Sequence, residues 1–589
     1  MIDLIKKYYF ISGVILLVAL RFLFVDADLP SYRVITHMDT DQYYYTNGAV
    51  SFLHYNQFYT PFPPGKDYSR NLFDFFENIW TAPFLKIFGN NLFAFKLPTL
   101  LLSLWGIYLI FLSLNLLKLN RKLVNITTLF LLTEFMLFMS SRVQNPTVYS
   151  FFGCSVLIFM LVKYETSETV EKKNRFLFFA GLWAVWTVFL IYIFNFFLLA
   201  AIGFSVIIYF GFIKKSIKSI LYFSIGCLTG FLLYNMLTYI VYEKTILNLI
   251  TDLKHFGGGD DYRSLDELKV PLKEKLIHTL AAFFTINYLR FNLFLFVIFT
   301  PALVYFILRI ISSKTAGLLN LVLLSALVFT LFQLWLEPGY SPRKLTTLLP
   351  IYVFIIVQSI DNFILRNISS KQKLLYIALG VVGLLSALYC YSITTSGWYE
   401  SMRAGSNTPR FLNYINFGIA AIIMGLIVYV IYKGKNNKLA GNLISVLVFV
   451  PSLCFIFKYV ITDRSYNFKN SLIELSSISE NKNMAGVYPE ALMLYNNFHS
   501  YKPYHTYTTS DEYLRLLEND SVQIVNLRTD RSLIKGYDYT SDKKLISLNK
   551  GDTLLNGKNY FVMVDLILNI NQGKELYVGV RRDKSEKKE

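Results

Sequence analysis

The chain is predicted to be a polytopic α-helical membrane protein with a small extracytoplasmic α/β domain at its C-terminus. Three observations lead there: its 589 residues are 54% apolar and 17% aromatic, the apolar residues gather into thirteen stretches, and basic clusters separate many of those stretches. Such a composition exceeds what a soluble domain carries. A hydrocarbon core of ~30 Å takes about 20 helical residues at ~1.5 Å each. Stretches of roughly that length fall at 9–25, 97–117, 123–140, 147–162, 176–191, 192–213, 217–242, 292–311, 317–336, 345–359, 374–393, 411–432 and 439–461. The apolar run 176–213 is too long for one crossing, so a break is placed near Asn195.

Orientation follows from charge. A formal charge of +18 could suggest nucleic acid, but the basic residues sit in clusters between spans, as the positive-inside rule expects of cytoplasmic loops. Lys6 and Lys7, Lys118 with Arg121 and Lys122, Lys172 with Lys173 and Arg175, and Lys214 with Lys215 and Lys218 share one side. Arg309 with Lys314, Arg366 with Lys371 and Lys373, and Lys433 with Lys435 and Lys438 share it too. The N-terminus is then cytoplasmic, and an odd number of spans carries the C-terminus outside the plasma (inner) membrane. Cys154, Cys227, Cys390 and Cys454 all lie in predicted spans, so no structural disulfide is implied. Val25-Asp26-Ala27 only faintly resembles a signal-peptidase site, and removing the first span would break the charge pattern.

Two regions are predicted, a membrane-embedded 1–461 and an extracytoplasmic 462–589. The tail alternates short apolar runs, such as 521–527 and 560–568, with turn signals such as Asn556-Gly557. Long outer loops at 26–96 and 243–290 mix aromatic and charged residues, a composition that suits interfacial helices. Gly257-Gly258-Gly259 lacks the following Lys-Ser/Thr of a phosphate loop and reads as a mobile outer segment.

Chemistry is expected in the first outer loop. His37-Met38-Asp39-Thr40-Asp41-Gln42-Tyr43-Tyr44-Tyr45 places two carboxylates just beyond the first span, among aromatic neighbours. Capping a helix that begins near Gln42 would also suit those aspartates. Arg343 and Lys344 follow Glu337-Pro338-Gly339-Tyr340 at the outer mouth of the tenth span, against the inside bias of the other clusters. They can grip a phosphate, Arg343 in bidentate fashion, or snorkel to headgroups. Arg142 is a further outer cation, and Lys66 and Arg70 are weaker ones. Glu134, in the middle of the third span, needs a partner or a polar cavity, since an intramembrane carboxylate costs roughly 2.5–3.5 kcal/mol on insertion scales. The histidines and cysteines show no metal-ligand spacing, so no cofactor is predicted, although the residues leave a divalent metal open.

Asp41, Tyr45 and Ala49, the turn at Pro61, the passage from Phe88-Gly89 to Lys96-Leu97-Pro98, Ser141-Arg142 ahead of Asn145-Pro146, and Arg343 to Pro350 stand in the order and spacing of a known pattern. By these the chain resembles the GT-C superfamily of polyprenyl-phosphate-sugar glycosyltransferases, in the branch of the bacterial aminoarabinose transferase and the protein O-mannosyltransferases. It departs from that branch where Gln42 replaces Glu, where a Pro-Pro-Leu near 73–76 is missing, and where Thr147 stands in place of Asp. The resemblance implies thirteen spans, an outer C-terminal domain and inverting transfer of a sugar from a polyprenyl-phosphate donor to a lipid, glycan or protein acceptor. In that reading Asp41 is the base and Asp39 its reserve. Arg343, Lys344, Arg142 and Tyr340 hold the donor phosphate, and Tyr45 and Gln42 contact substrate. A carboxylate among apolar and aromatic groups has its pKa raised, which suits proton acceptance. The rival classes are a transporter or lipid flippase, which would show inverted halves and midplane charges, and a non-catalytic envelope scaffold, which would tolerate loss of Asp41.

Overall fold

The computed structural model describes residues 2–28, 47–58, 75–144, 146–191, 195–242, 293–313, 317–336, 346–365, 446–462, 464–479, 483–486, 494–496, 499–501, 524–528, 553–556, 560–571 and 574–583, with isolated helical positions between 378 and 443. Helices follow the apolar stretches closely. Helix α1 covers Ile2–Phe22, and the first outer loop contributes α2 (Asn47–Tyr55) and α3 (Phe75–Phe88). Next come α4 (Leu92–Leu116), α5 (Arg121–Thr133), α6 (Phe135–Ser140) and α7 (Pro146–Thr166). They are followed by α8 (Val170–Trp186), α9 (Phe196–Val206) and α10 (Ile217–Tyr242). The later helices are α11 (Leu293–Ser313), α12 (Leu318–Leu336), α13 (Leu349–Leu365), α14 (Val450–Ile456) and α15 (Asn467–Ser479). Among the described residues five helical segments are long and apolar enough to cross a membrane: Leu92–Leu116, Pro146–Thr166, Val170–Ile191, Phe196–Ile213 and Ile217–Val241. Most of the stretches 374–393 and 411–432 lies outside the described residues.

Two local departures from a plain helix have identifiable causes. The third predicted span is broken at Glu134, whose backbone leaves the helical region and whose carboxylate accepts from the N–H groups of Met136 (3.2 Å) and Leu137 (2.6 Å), capping α6. The carboxylate has thus found a structural partner. The long run 176–213 is interrupted where expected: α8 continues into a π-helical turn over Thr187–Ile191, and α9 begins after Asn195. The amide of Asn195 donates to the Thr187 carbonyl (2.9 Å) and to Ser150 Oγ (2.9 Å), so a group released by the widened turn is satisfied inside the bundle.

Contacts between connections sort them into two sets. At one end the Asn120 N–H donates to Asp361 Oδ1 (3.0 Å) and the Leu319 N–H to Glu165 Oε1 (2.9 Å), joining connections predicted to be cytoplasmic. At the other end Asp28 meets Ser465, Arg142 meets Phe24 and Asn90 meets Asn496, all predicted to be outer. Among the described residues, the connections in each set thus meet one another.

A continuous apolar core is built mainly from α4, α5, α7, α8, α9, α11, α12 and α13. Helices α8 and α10 pair extensively, through glycines. A methyl group on Gly226 would stand 2.1 Å from the Phe178 carbonyl oxygen, and one on Gly181 2.3 Å from that of Phe223. Lipid tails offer helices no hydrophobic drive to associate, so close backbone approach at small residues carries the contact. Gly226→Val is expected to lower the melting temperature in detergent by separating these helices, an overpacking cost of about 1–3 kcal/mol or more. Gly203→Ala, where nothing lies within 4 Å, should leave it unchanged. Equal melting of the two variants would remove the close-approach account.

The C-terminal part folds into α15 and six strands: β1 (Asn483–Gly486), β2 (His499–Tyr501), β3 (Ile524–Arg528), β4 (Thr553–Asn556), β5 (Tyr560–Asn571) and β6 (Lys574–Asp583). Their order is β2-β1-β3-β6-β5-β4, with β1 parallel to β2 and β3 and the remaining pairs antiparallel. Helix α15 packs on β5.

Candidate functional site

The end of α1, the start of α4 and the end of α6 converge on a buried set of cations. Arg21, in the last turn of α1, is fully buried. Its Nε donates to the Leu132 carbonyl (2.9 Å), Nη2 to the Leu131 carbonyl (3.0 Å), and Nη1 to Ser103 Oγ and Ser141 Oγ (3.1 Å each). Leu131 and Leu132 lie in the last turn of α5, where carbonyls lose their helical partners. Glu134 interacts electrostatically with the same guanidinium. The broken third span is thus stitched by one cation at the end of α5 and one anion at the start of α6, as the two helix dipoles favour. The Arg21 guanidinium also lies 5.2 Å from the centre of the Phe138 ring.

Arg142 and Lys96 hold the turn that follows α1. Arg142 donates to the Arg21 carbonyl (3.2 Å) and to the Phe24 carbonyl, and the Lys96 ammonium donates to the Ala27 carbonyl (2.6 Å). Phe24 occupies the left-handed region (φ 54°), unusual for a bulky residue, and its ring is covered by Arg464 with the guanidinium 3.9 Å from its centre. Burial lowers the Arg142 pKa to about 10, against the opposing charge of Asp26, and leaves the group cationic at neutral pH.

The described parts of the loop between α1 and α4 are anchored at several points. Its helices α2 and α3 pack together, and the Ala49 N–H donates to Asn78 Oδ1 (2.8 Å). Next to Asn78 lies Glu77, a fully buried carboxylate whose charge reaches the Tyr149 hydroxyl. Tyr149 in turn donates to Gln144 Oε1 (2.9 Å) and pairs with Thr81 Oγ1 (3.2 Å). Gln144 donates to the Phe95 carbonyl. A chain of buried polar groups therefore runs from α3 through α7 to the start of α4. An aromatic row, Phe76, Trp80, Phe84 and Phe88, continues along α3 at four-residue spacing.

Of the residues chosen from the sequence, only Arg142 falls among those described. Asp39, Asp41, Gln42, Tyr45, Tyr340, Arg343 and Lys344 lie outside them, as do Lys66 and Arg70. Arg142 has directed two of its donors at backbone carbonyls. Three groups escaped notice in the sequence: Arg21, Glu77 and the pair Asp26 and Asp28. A lone arginine inside an otherwise apolar stretch was the available signal for the first, because such a charge must find partners. Among the described residues no group of three His, Cys, Asp or Glu side chains could hold a metal ion.

No protein-family profile and no curated protein matches the chain. Solved structures do. ArnT from Cupriavidus metallidurans bound to undecaprenyl phosphate superposes with a TM-score of 0.57 at 9% identity, over 97% of this chain and 98% of that one. The apo form of the same protein gives 0.51 at 9% identity over 90% and 93%. The chain has the GT-C fold. The likeness extends over nearly the whole of both chains.

Proposed function

We propose that this protein transfers a sugar from a polyprenyl-phosphate-linked donor to a lipid, glycan or protein acceptor at the outer face of the plasma (inner) membrane, with inversion at the anomeric carbon. The observation that carries the reading is the end-to-end likeness to a structure that holds undecaprenyl phosphate. The described residues on either side of Asp39 and Asp41 support it further, because Ala27 and Ala49 are both held by hydrogen bonds to neighbouring elements.

In this reading Asp41, with Asp39 in reserve, accepts the proton of the acceptor hydroxyl or amine as the acceptor oxygen or nitrogen bonds to the anomeric carbon. The bond between that carbon and the lipid phosphate oxygen breaks, and polyprenyl phosphate leaves with the electron pair. Arg343, Lys344 and Tyr340 take the phosphate, and Arg142 adds positive charge beneath it. Tyr45 and Gln42 contact the sugar or the acceptor. The proposed division into a membrane-embedded 1–461 and an outer 462–589 would put all of these groups on one side of the bilayer.

Purified protein in lipid nanodiscs should transfer radiolabelled sugar from a synthetic polyprenyl-phosphate sugar to extracted envelope acceptors. Arg343→Ala should weaken donor binding by roughly 10- to 100-fold, the effect of losing a charged hydrogen bond of about 1.5–3 kcal/mol. No transfer from any such donor sinks the proposal, and an unaltered donor affinity assigns Arg343 to headgroup anchoring.

A further inference from the structure

The C-terminal segment grips the first outer loop at both of its ends. At the start of the loop, Asp28 forms an isolated antiparallel bridge with Ser465, its N–H donating to the Ser465 carbonyl (2.9 Å). The Asp28 carboxylate accepts from the Lys469 N–H (3.0 Å) and from Ser465 Oγ (3.2 Å). Lys469 lies in the first turn of α15, where backbone donors have no helical partner. Asp28 therefore caps a helix more than four hundred residues away in sequence. The Lys469 ammonium meets Asp26 at 2.6 Å. Burial alone would raise the Asp26 carboxyl pKa, but the bond to Lys469 and the nearby cations hold it below the ordinary range.

At the far end of the loop the same segment returns. The Leu92 N–H, at the start of α4, donates to the Tyr495 hydroxyl (3.1 Å), and the Tyr495 N–H donates to the Asn90 carbonyl (3.1 Å). The Asn90 amide reaches the Asn496 carbonyl (3.4 Å) and His54 of α2 (3.4 Å), while the Asn496 amide donates back to the Leu472 carbonyl of α15 (2.9 Å). Helix α15 and residues 494–496, joined through Asn496, thus touch residues 26–28 and residues 90–92, which bracket the loop.

We infer that this segment is a positioning clamp for the first outer loop, acting through Asp28 and Tyr495 to hold α2 and the ends of the segment 29–46 in the arrangement that turnover requires. The inference rests on the transferase reading for its kinetic consequence, but the clamp itself has a separate physical readout. None of the clamp residues needs to touch substrate. Their effect passes through the loop, so it belongs in kcat more than in the donor KM.

The test uses full-length protein in nanodiscs carrying Asp28→Ala, Asp28→Asn or Tyr495→Phe. Kinetics with a synthetic polyprenyl-phosphate sugar are measured beside amide hydrogen exchange over residues 47–55. Asp28→Ala should lower kcat about tenfold with KM within about twofold, well inside the ~10²-fold that a misplacement of ~1 Å can cause. Asp28→Asn should restore kcat to within about twofold, because Asn caps a helix about as well as Asp. Tyr495→Phe removes a single hydroxyl and should show the same change in kcat and exchange in milder form, a safeguard if Asp28→Ala folds poorly. Exchange over 47–55 should quicken in Asp28→Ala and Tyr495→Phe and return to normal in Asp28→Asn. Unchanged exchange in both variants overturns the clamp, as does an Asp28→Asn no better than Asp28→Ala. Should the wild-type protein transfer no sugar, the transferase reading fails, and the exchange data decide the clamp alone.

Discussion

Arg21→Met is expected to destabilise the protein more than any other single replacement in the described core. The guanidinium makes four hydrogen bonds from a fully buried position and balances Glu134. Methionine fills much of the space but leaves the Leu131 and Leu132 carbonyls without the bonds Arg21 gave them, and it removes a cation that interacts with Glu134. Breaking a buried pair from one side costs about 3–5 kcal/mol, because the remaining charge stays desolvated. Arg21→Lys should rescue little, since a point-like ammonium cannot reproduce a planar fork spread over two carbonyls and two hydroxyls. Combining Arg21→Met with Glu134→Gln should recover part of the loss, the positive coupling expected of residues in one network. Thermal unfolding in detergent, read by the loss of helical circular dichroism, checks all three. A melting temperature for Arg21→Met within about a degree of wild type would mean that water already reaches this site, and the picture of a dry stitch across the broken span would be wrong.

The contrast between Arg21 and the spans around it shows what could be read in advance. Apolar length placed the helices well, because crossing hydrocarbon is a constraint on composition averaged over about 20 residues. The same averaging hid Arg21, one charge in a stretch that otherwise qualifies as a span. Glu134 was legible as a group in need of a partner, since its cost is local; that it would find backbone N–H groups by breaking its own helix was not, because a cap needs a backbone angle that no side-chain pattern specifies. The break near Asn195 was visible from length alone. In the C-terminal part, strands β3 and β5 lie near the apolar runs 521–527 and 560–568, yet the order β2-β1-β3-β6-β5-β4 depends on pairings between distant segments. The clamp is of the same kind: Asp28 and Lys469 are ordinary surface residues in sequence, and only the fold brings them together. Among the predicted site residues, Arg142 was legible as a cation between two spans, while its bonds to the carbonyls of Arg21 and Phe24 depended on where α1 ends.

Asp41→Asn should abolish most sugar transfer while leaving donor binding intact, and it separates chemistry from architecture more sharply than any other change. Asparagine has nearly the shape of aspartate and can accept a hydrogen bond, but it cannot take up the proton that the acceptor must lose. General-base catalysis contributes typically 10²–10⁴-fold, so turnover should fall by about that factor. Donor affinity should stay within about twofold, because in the proposed mechanism cations rather than the base hold the phosphate. Melting temperature and exchange over 47–55 should also match wild type, since the anchors of the loop at Asp28, Ala49 and Asn90 are untouched. Asp39→Asn serves as the comparison and should keep most of its turnover. If the two variants exchange roles, the base is Asp39. If both retain turnover while Glu77→Gln loses it, proton acceptance passes to the buried carboxylate of α3, which the Tyr149 network already connects to the outer ends of α4 and α7. Single-turnover measurement with preloaded donor is the decisive form of the experiment, because it reads the chemical step free of lipid exchange and product release.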